Sequence, residues 1–247
     1  MGGSDETSSP RDPWLSVGTT TIGLFTFRAT REELIGFTRK HLAFGLLCTW
    51  IVGIGRYWDN PRVHLLQHLG LGSVVYVFVL SLFLWLIVWP LRPKNWSYFR
   101  VLVFVSLVSP PAILYALPVE KFYSLDTANS LNAWFLAIVA TWRVALLIFF
   151  FRRLGELDSF SVVIATLVPL TLIVFTLTVL NLEKAVFDFM GGVREGTASD
   201  ASYGFLFMLS FFSILLFLPL LIRYIALVVS AQRKAKDERL RKILELS

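Results

Sequence analysis

Long apolar runs separated by short polar segments dominate the sequence from about residue 41 onward. A helix needs about twenty predominantly apolar residues to cross the hydrocarbon core of a bilayer. Six runs approach or exceed this length, at 41–56, 69–91, 98–119, 131–151, 160–182 and 203–229. The pattern predicts an all-α fold, a polytopic transmembrane helical bundle of about six spans, or five if the short first run is interfacial.

The segments around these runs divide the chain into three parts. Residues 1–29 begin with a polar stretch broken by prolines, which predicts a flexible N-terminal tail with a candidate interfacial segment. Residues 30–229 form the predicted bundle. TREE at 30–33 has the form of a capping box, so we expect a helix to begin at Thr30 and to continue into the first run. Residues 230–247 predict a basic cytoplasmic helical tail that continues the last span.

Composition supports a membrane location. Only 16% of the residues are charged and 56% are hydrophobic, whereas a soluble domain has about 25% charged residues. The net charge of +6 is carried next to apolar runs. We therefore expect a lipid bilayer with anionic headgroups as the partner, and no nucleic acid.

Lysine and arginine are unequally divided between alternate connecting segments. Sixteen lie on one side and five on the other, leaving out Arg143 and Arg223 within the runs. Because cytoplasmic segments of membrane proteins carry an excess of these residues, the division predicts six spans with both termini in the cytoplasm. If the first run is interfacial, five spans remain and the amino terminus faces the other way.

One arginine interrupts the apolar sequence ATWRVALLIFFFRR at 140–153. At about 100° per residue, Arg143 shares a helix side with Asn132 and Asn129, while Trp134 and Trp142 lie on the other side. Arginine at the centre of a membrane costs roughly 2.5–3.5 kcal/mol even on lenient scales, and it normally faces the bundle interior. We expect it to bind carbonyls opened by proline, hydroxyls, a boundary carboxylate or a non-protein group. Both a polar anchor between helices and an anion site fit this pattern.

Interior prolines predict helix kinks in three of the runs. They are Pro110 and Pro111 in the third run, Pro169 in the fifth and Pro219 in the sixth. Each proline removes a backbone donor and frees a carbonyl. We expect nearby hydroxyls to compensate, as membrane helices commonly allow; these are Ser106, Ser109, Thr166 and Ser213.

The polar segment GRYWDNPRVHLLQH at 55–68 contains a candidate metal site. His64 and His68 are four residues apart and would share a helix face, with Asp59 as a third ligand. The alternative is a polar turn between two helices. A Gly-rich phosphate loop, a serine elbow and an Asp-rich phosphotransferase motif are all missing from the sequence. We therefore expect a non-enzymatic protein without a cofactor.

The sequence NAWFLAIVATWRVALLIFFFRRLGELDSFSVVIATLVPLTLIV, about a fifth of the chain, combines a Trp-bearing helix, a short loop and a proline-bearing apolar helix. This order resembles the last helices of Yip1-like polytopic proteins, particularly the bacterial members. The DLYGP-type motif of the eukaryotic members is absent, and no functional residues carry over. The resemblance implies an adaptor or membrane-organising role, and we expect a bacterial inner-membrane location.

Two functional hypotheses follow from the sequence. The first is a scaffold, adaptor or sensor with Arg143 as a buried polar anchor, acting as a homo-oligomer or within a membrane complex. The alternative is a small transporter or channel with an anion site at this arginine, on a path bounded by the proline kinks.

Overall fold

A computed structural model of the chain describes residues 13–57, 65–182 and 200–245. Throughout these ranges the regular structure is helical and contains no strand, which confirms the predicted all-α fold. The α-helices are α1 (Pro13–Phe25), α2 (Arg31–Ile35), α3 (Arg39–Tyr57), α4 (Leu65–His68), α5 (Leu71–Val88), α6 (Tyr98–Leu107), α7 (Leu125–Arg153), α8 (Ser159–Val179) and α9 (Asp200–Glu245). Short 3-10 helices cover Trp89–Leu91, Pro110–Ala116 and Val119–Lys121.

Five of the described helical segments are long and apolar enough to cross a membrane. They are Leu71–Leu91, Tyr98–Ala116, Ser130–Arg153, Ser159–Val179 and Phe207–Glu245, which match five of the six predicted runs. The chain is therefore a polytopic membrane protein. Helix α3, which covers the first run, is not among the five. It begins with Arg39, Lys40 and His41 and contains three glycines, and both features reduce its hydropathy.

Helix α6 lies at the centre of the bundle. Each of its residues from Val101 to Leu107 is buried. Phe104 stacks on Phe150 of α7 with ring centroids 4.1 Å apart. Because both rings are almost fully buried, this contact fixes α7 against the central helix by apolar packing.

Helix α3 runs alongside α6 in the same direction. A Cβ atom added at Gly45 would lie 2.8 Å from the Cβ atom of Ser106, and one added at Gly55 would lie 3.0 Å from that of Ala116. The Thr49 hydroxyl donates to the carbonyl of Gly45 and, at 3.4 Å, to that of Ser106. Small residues let the two backbones approach closely, as in other membrane helix pairs. Helix α3 is therefore part of the bundle despite its lower hydropathy.

Within the predicted N-terminal tail of residues 1–29, residues 13–25 form the helix α1. In the structure, the hydroxyl of Thr21 donates to the Val17 carbonyl one turn earlier, so its polarity is satisfied within the helix. Val17 and Leu24 are buried, and Leu24 belongs to the main apolar core. Residues 1–12 lie outside the described part of the chain, and the interfacial segment stays a prediction.

The helix expected to run from Thr30 into the first apolar segment is divided in two. The capping box forms, with the Glu33 carboxylate accepting from the Thr30 N–H at 2.7 Å. However, α2 ends before Gly36, and α3 begins only at Arg39. His41 then accepts from the backbone N–H of Thr38 through Nδ1 at 3.2 Å. A second helix, α3, therefore begins a few residues after α2 ends.

Three of the basic segments that connect the helices meet at one end of the bundle. Glu156, between α7 and α8, forms ion pairs with Arg31 and with Lys94, the latter at 2.7 Å. The hydrogen bond from Lys94 is the main cause of the lowered pKa of Glu156. Arg100 donates to the Ile35 carbonyl at 3.3 Å. These contacts join the segments before α3, before α6 and before α8 into one polar layer.

Candidate functional site

The central helix is interrupted next to the arginine of α7. Helix α6 ends at Leu107, and the chain continues as a 3-10 helix that starts with Pro110 and Pro111. In that tighter geometry the Ala112 N–H donates to the Ser109 carbonyl at 3.0 Å, three residues back, rather than to Val108 four residues back. The prolines predicted to kink this helix therefore end it.

Arg143 donates to the two carbonyls at this helix end. Its Nε lies 3.2 Å from the Val108 oxygen, and one terminal nitrogen lies 3.5 Å from the Ser109 oxygen. Val108 and Ser109 are both buried. The Ser109 carbonyl also accepts from the Ala112 N–H, so the Val108 carbonyl is the one that the proline break leaves to the guanidinium. A buried carbonyl without a donor costs about 1–3 kcal/mol. Proline-opened carbonyls were one of the partner classes expected for this residue.

Arg143 lies deep within the apolar part of α7. The spanning segment extends from Ser130 to Arg153, so at 1.5 Å per residue the arginine is about 20 Å from one end and about 15 Å from the other. Its side chain is half-buried. Trp134 and Trp142, on the predicted lipid side, are exposed. The helix thus turns its aromatic surface outward and its arginine towards α6.

The two asparagines predicted beside the arginine have different outcomes. Asn132 is buried on the inner side of α7. The side chain of Asn129 lies outside the described part of the structure, although its backbone is in α7. Asn132 and Arg143 are eleven residues apart, or about 16 Å along the axis. They therefore share a helix face without forming one compact site.

The remaining prolines lie inside continuous helices. Pro169 is within α8 and Pro219 within α9, and neither helix is divided there. The long α9 stays close to α8, as the rings of Phe175 and Phe217 stack with centroids 4.2 Å apart. Thr178 also donates to Ser210 at 3.0 Å. Among the four predicted kink prolines, only the pair at 110–111 thus lies where an α-helix gives way to a 3-10 helix.

Two of the hydroxyls expected to compensate for the prolines bond only to carbonyls within one turn of their own helix. Ser106 donates to the Val103 carbonyl at 2.8 Å, and Ser109 donates to the Val105 carbonyl at 3.4 Å. Thr166 is buried, and its hydroxyl has no hydrogen-bond partner among the described residues. The compensation found here comes instead from Arg143 and from the Thr49 hydroxyl of α3. Sequence reasoning missed Thr49, whose only signal was its place among small residues.

The candidate metal ligands are mostly outside the described ranges. His64 and Asp59 lie between residues 57 and 65, about which the structure says nothing. His68 is the last residue of α4. The metal site therefore stays a prediction.

A comparison with known proteins identifies no relative. No protein-family profile matches the chain, and no curated protein or solved structure is significantly similar to it. The resemblance to Yip1-like proteins stays a prediction. The chain is a polytopic helical membrane protein with an arginine at the broken end of its central helix.

Proposed function

We propose that the protein is a non-enzymatic membrane scaffold or adaptor in which Arg143 is a polar anchor between α6 and α7. The observation that carries the proposal is the pair of hydrogen bonds to the Val108 and Ser109 carbonyls. An arginine that joins two backbone carbonyls of a neighbouring helix fixes the position of that helix. Its cost within the membrane is reduced because it satisfies the Val108 carbonyl, which the break in the helix has opened.

The continuous α9 helix supports an adaptor role. Its apolar part is followed by a charged segment from residue 230 to Glu245 without a break in the helix. At 1.5 Å per residue this segment extends for about 24 Å. A projecting helix with exposed charged residues suits a cytoplasmic partner or a second copy of the chain.

The topology belongs to the same proposal. We place both termini in the cytoplasm and α3 across the membrane beside α6, in a bacterial inner membrane. Support comes from the contacts among Arg31, Lys94, Glu156 and Arg100, which gather basic segments at one end of the bundle. The excess of lysine and arginine in these segments favours the cytoplasmic side for that end.

Substitution of Arg143 tests the anchor. Arg143→Gln removes most of the donors and the charge, whereas Arg143→Lys keeps the charge but loses the planar fork that reaches two acceptors. We expect both to lower the free energy of unfolding by about 1–3 kcal/mol, the cost of leaving a buried acceptor unpaired. Arg223→Gln is the matched control, because Arg223 is an exposed arginine in the apolar part of α9.

The same variants distinguish the anchor from an anion site. Stability is measured by unfolding in mixed micelles, and anion flux is measured in vesicles loaded with a halide-sensitive dye. An anchor predicts loss of stability with both Arg143 variants and no flux that depends on this residue. A stable Arg143→Gln protein that has lost an anion flux retained by Arg143→Lys would contradict the anchor and favour a transporter or channel.

A further inference from the structure

A groove with basic walls lies between the turn at Arg92 and the side of α9. Its volume is about 550 Å³. The walls carry four cationic side chains, one from the turn and three from α9; they are Arg92, Arg233, Lys236 and Arg239. The other lining residues are Val228, Val229, Gln232 and Ala235. Two separate parts of the chain thus contribute positive charge to one cleft.

The groove has no internal counter-charge. Its lining includes no aspartate or glutamate. Arg31 and Lys94 form ion pairs with Glu156, whereas no groove cation has an ion pair with another residue of the described ranges. A cleft lined by charges of one sign concentrates the field and attracts ions of the opposite sign. Arginine forks in particular suit phosphate oxygens, to which they donate in pairs.

Aromatic side chains place the groove at the boundary of the membrane. Trp85 and Trp89 stack with centroids 6.0 Å apart just before Arg92, and Trp89 is 60% exposed. Trp96 donates to the Trp85 carbonyl at 3.3 Å. Exposed tryptophan is typical of the headgroup level of a bilayer. The cations of the groove therefore lie where lipid phosphates are found.

The groove is also continuous with the lipid-facing surface of α9. Val228 and Val229 line it, and they end the apolar part of this helix. One turn earlier, Tyr224 donates to the Ile87 carbonyl at 2.7 Å, which holds α9 beside the end of α5. This contact keeps the two walls together without filling the space between them.

We propose that this groove binds the phosphate headgroup of an anionic phospholipid from the surrounding leaflet. A free phosphate ion would meet the same four cations. The apolar valines and the aromatic level favour a lipid, whose glycerol and acyl chains would continue along α9. The site does not involve Arg143, and three of its cations belong to the charged segment of α9 that the proposed adaptor role also uses.

Lipid binding is measured with full-length protein in a neutral detergent and a fluorescent short-chain phosphatidylglycerol. The groove variant combines Arg92→Gln with Lys236→Gln. The control combines Lys234→Gln with Arg241→Gln, which removes the same charge from exposed residues of α9 outside the groove. Each cation near a lipid surface contributes about fivefold to the affinity. Because the groove variant loses two cations, we expect it to bind the probe roughly thirty-fold more weakly. The control should change the affinity by less than about threefold.

Competition identifies the source of the phosphate group. Unlabelled phosphatidylglycerol should displace the probe, whereas phosphatidylcholine and millimolar inorganic phosphate should not. Equal weakening in both variants, or unchanged binding in the groove variant, would overturn the site. Displacement by inorganic phosphate would overturn the lipid as its ligand. If the groove variant does not fold, Arg233→Gln with Arg239→Gln replaces it in the same comparison.

Discussion

The close approach of α3 to α6 predicts that Gly45→Ala destabilises the bundle. The added Cβ would lie 2.8 Å from the Cβ atom and 2.9 Å from the carbonyl carbon of Ser106, whereas ordinary contacts are 3.4–4 Å. The carbonyl carbon is backbone and cannot rotate away, so the helices must separate locally by about 0.5 Å or more. Overpacking of this kind costs about 1–3 kcal/mol. It also lengthens the bond from Thr49 to the Ser106 carbonyl, already 3.4 Å.

Gly18→Ala is the matched control, because nothing lies within 4 Å of a Cβ atom added there in α1. Both variants gain the same helix propensity, up to about 1 kcal/mol, so their difference isolates the contact. The free energy of unfolding is measured by titration with SDS in mixed micelles, followed by far-UV circular dichroism. We expect Gly45→Ala to be less stable than Gly18→Ala by about 1–3 kcal/mol. Equal stability would refute the packing of α3 against α6 and with it the place of α3 in the bundle.

Three further predictions concern polar contacts near the basic end of the bundle. The hydrogen bond and ion pair from Lys94 lower the pKa of Glu156 from its usual 4.5. The stabilisation from this contact is therefore present above that pH and is lost as the pH falls through the lower folded value. When unfolding is measured at stepwise lower pH, Glu156→Gln should lose less stability on acidification than wild type, and identical profiles would contradict this contact. Asp158 caps α8 by accepting from the backbone N–H and hydroxyl of Ser161 at 3.1 and 2.7 Å, so Asp158→Ala should cost about 1 kcal/mol at neutral pH, with Asp158→Asn closer to wild type. Tyr224→Phe loses a 2.7 Å bond to a carbonyl of α5 and should lower the free energy of unfolding by about 0.5–1.5 kcal/mol, whereas an unchanged value would exclude this contact.

The spans were accessible from the sequence because a bilayer tolerates few structures besides long apolar helices. Four of the five begin and end within a few residues of the predicted bounds, whereas the helix of the last one continues beyond residue 229 to Glu245. Helix α1 was predicted only as part of a tail with a candidate interfacial segment; in the structure its Thr21 hydroxyl bonds to its own helix. The end of α2 at Gly36 was also not predicted, although glycine after a helix is a common signal for its end.

The inward side of α7 was predicted from periodicity, but the acceptors of Arg143 were not. The proline pair indicated that carbonyls would be opened in the third run. Which helix would lie opposite the arginine depends on packing between segments about 35 residues apart in the chain. The groove at Arg92 was missed for the same reason, because its cations come from a turn and from the last helix. Single-sequence patterns describe helix faces well and contacts between helices poorly.

The most direct test of the account is the distance between the Arg143 side chain and the Val108 carbonyl in a bilayer. Solid-state NMR on protein with ¹⁵N in its arginine side chains and ¹³C in its valine carbonyls measures it, and the signal is assigned through its loss in Arg143→Lys. The Nε atom is 3.2 Å from the carbonyl oxygen, so it should lie within about 4.5 Å of the carbonyl carbon. Dipolar dephasing at that distance would support Arg143 as the link between α7 and the broken end of α6. A Val108 carbonyl with no arginine nitrogen nearby would contradict it.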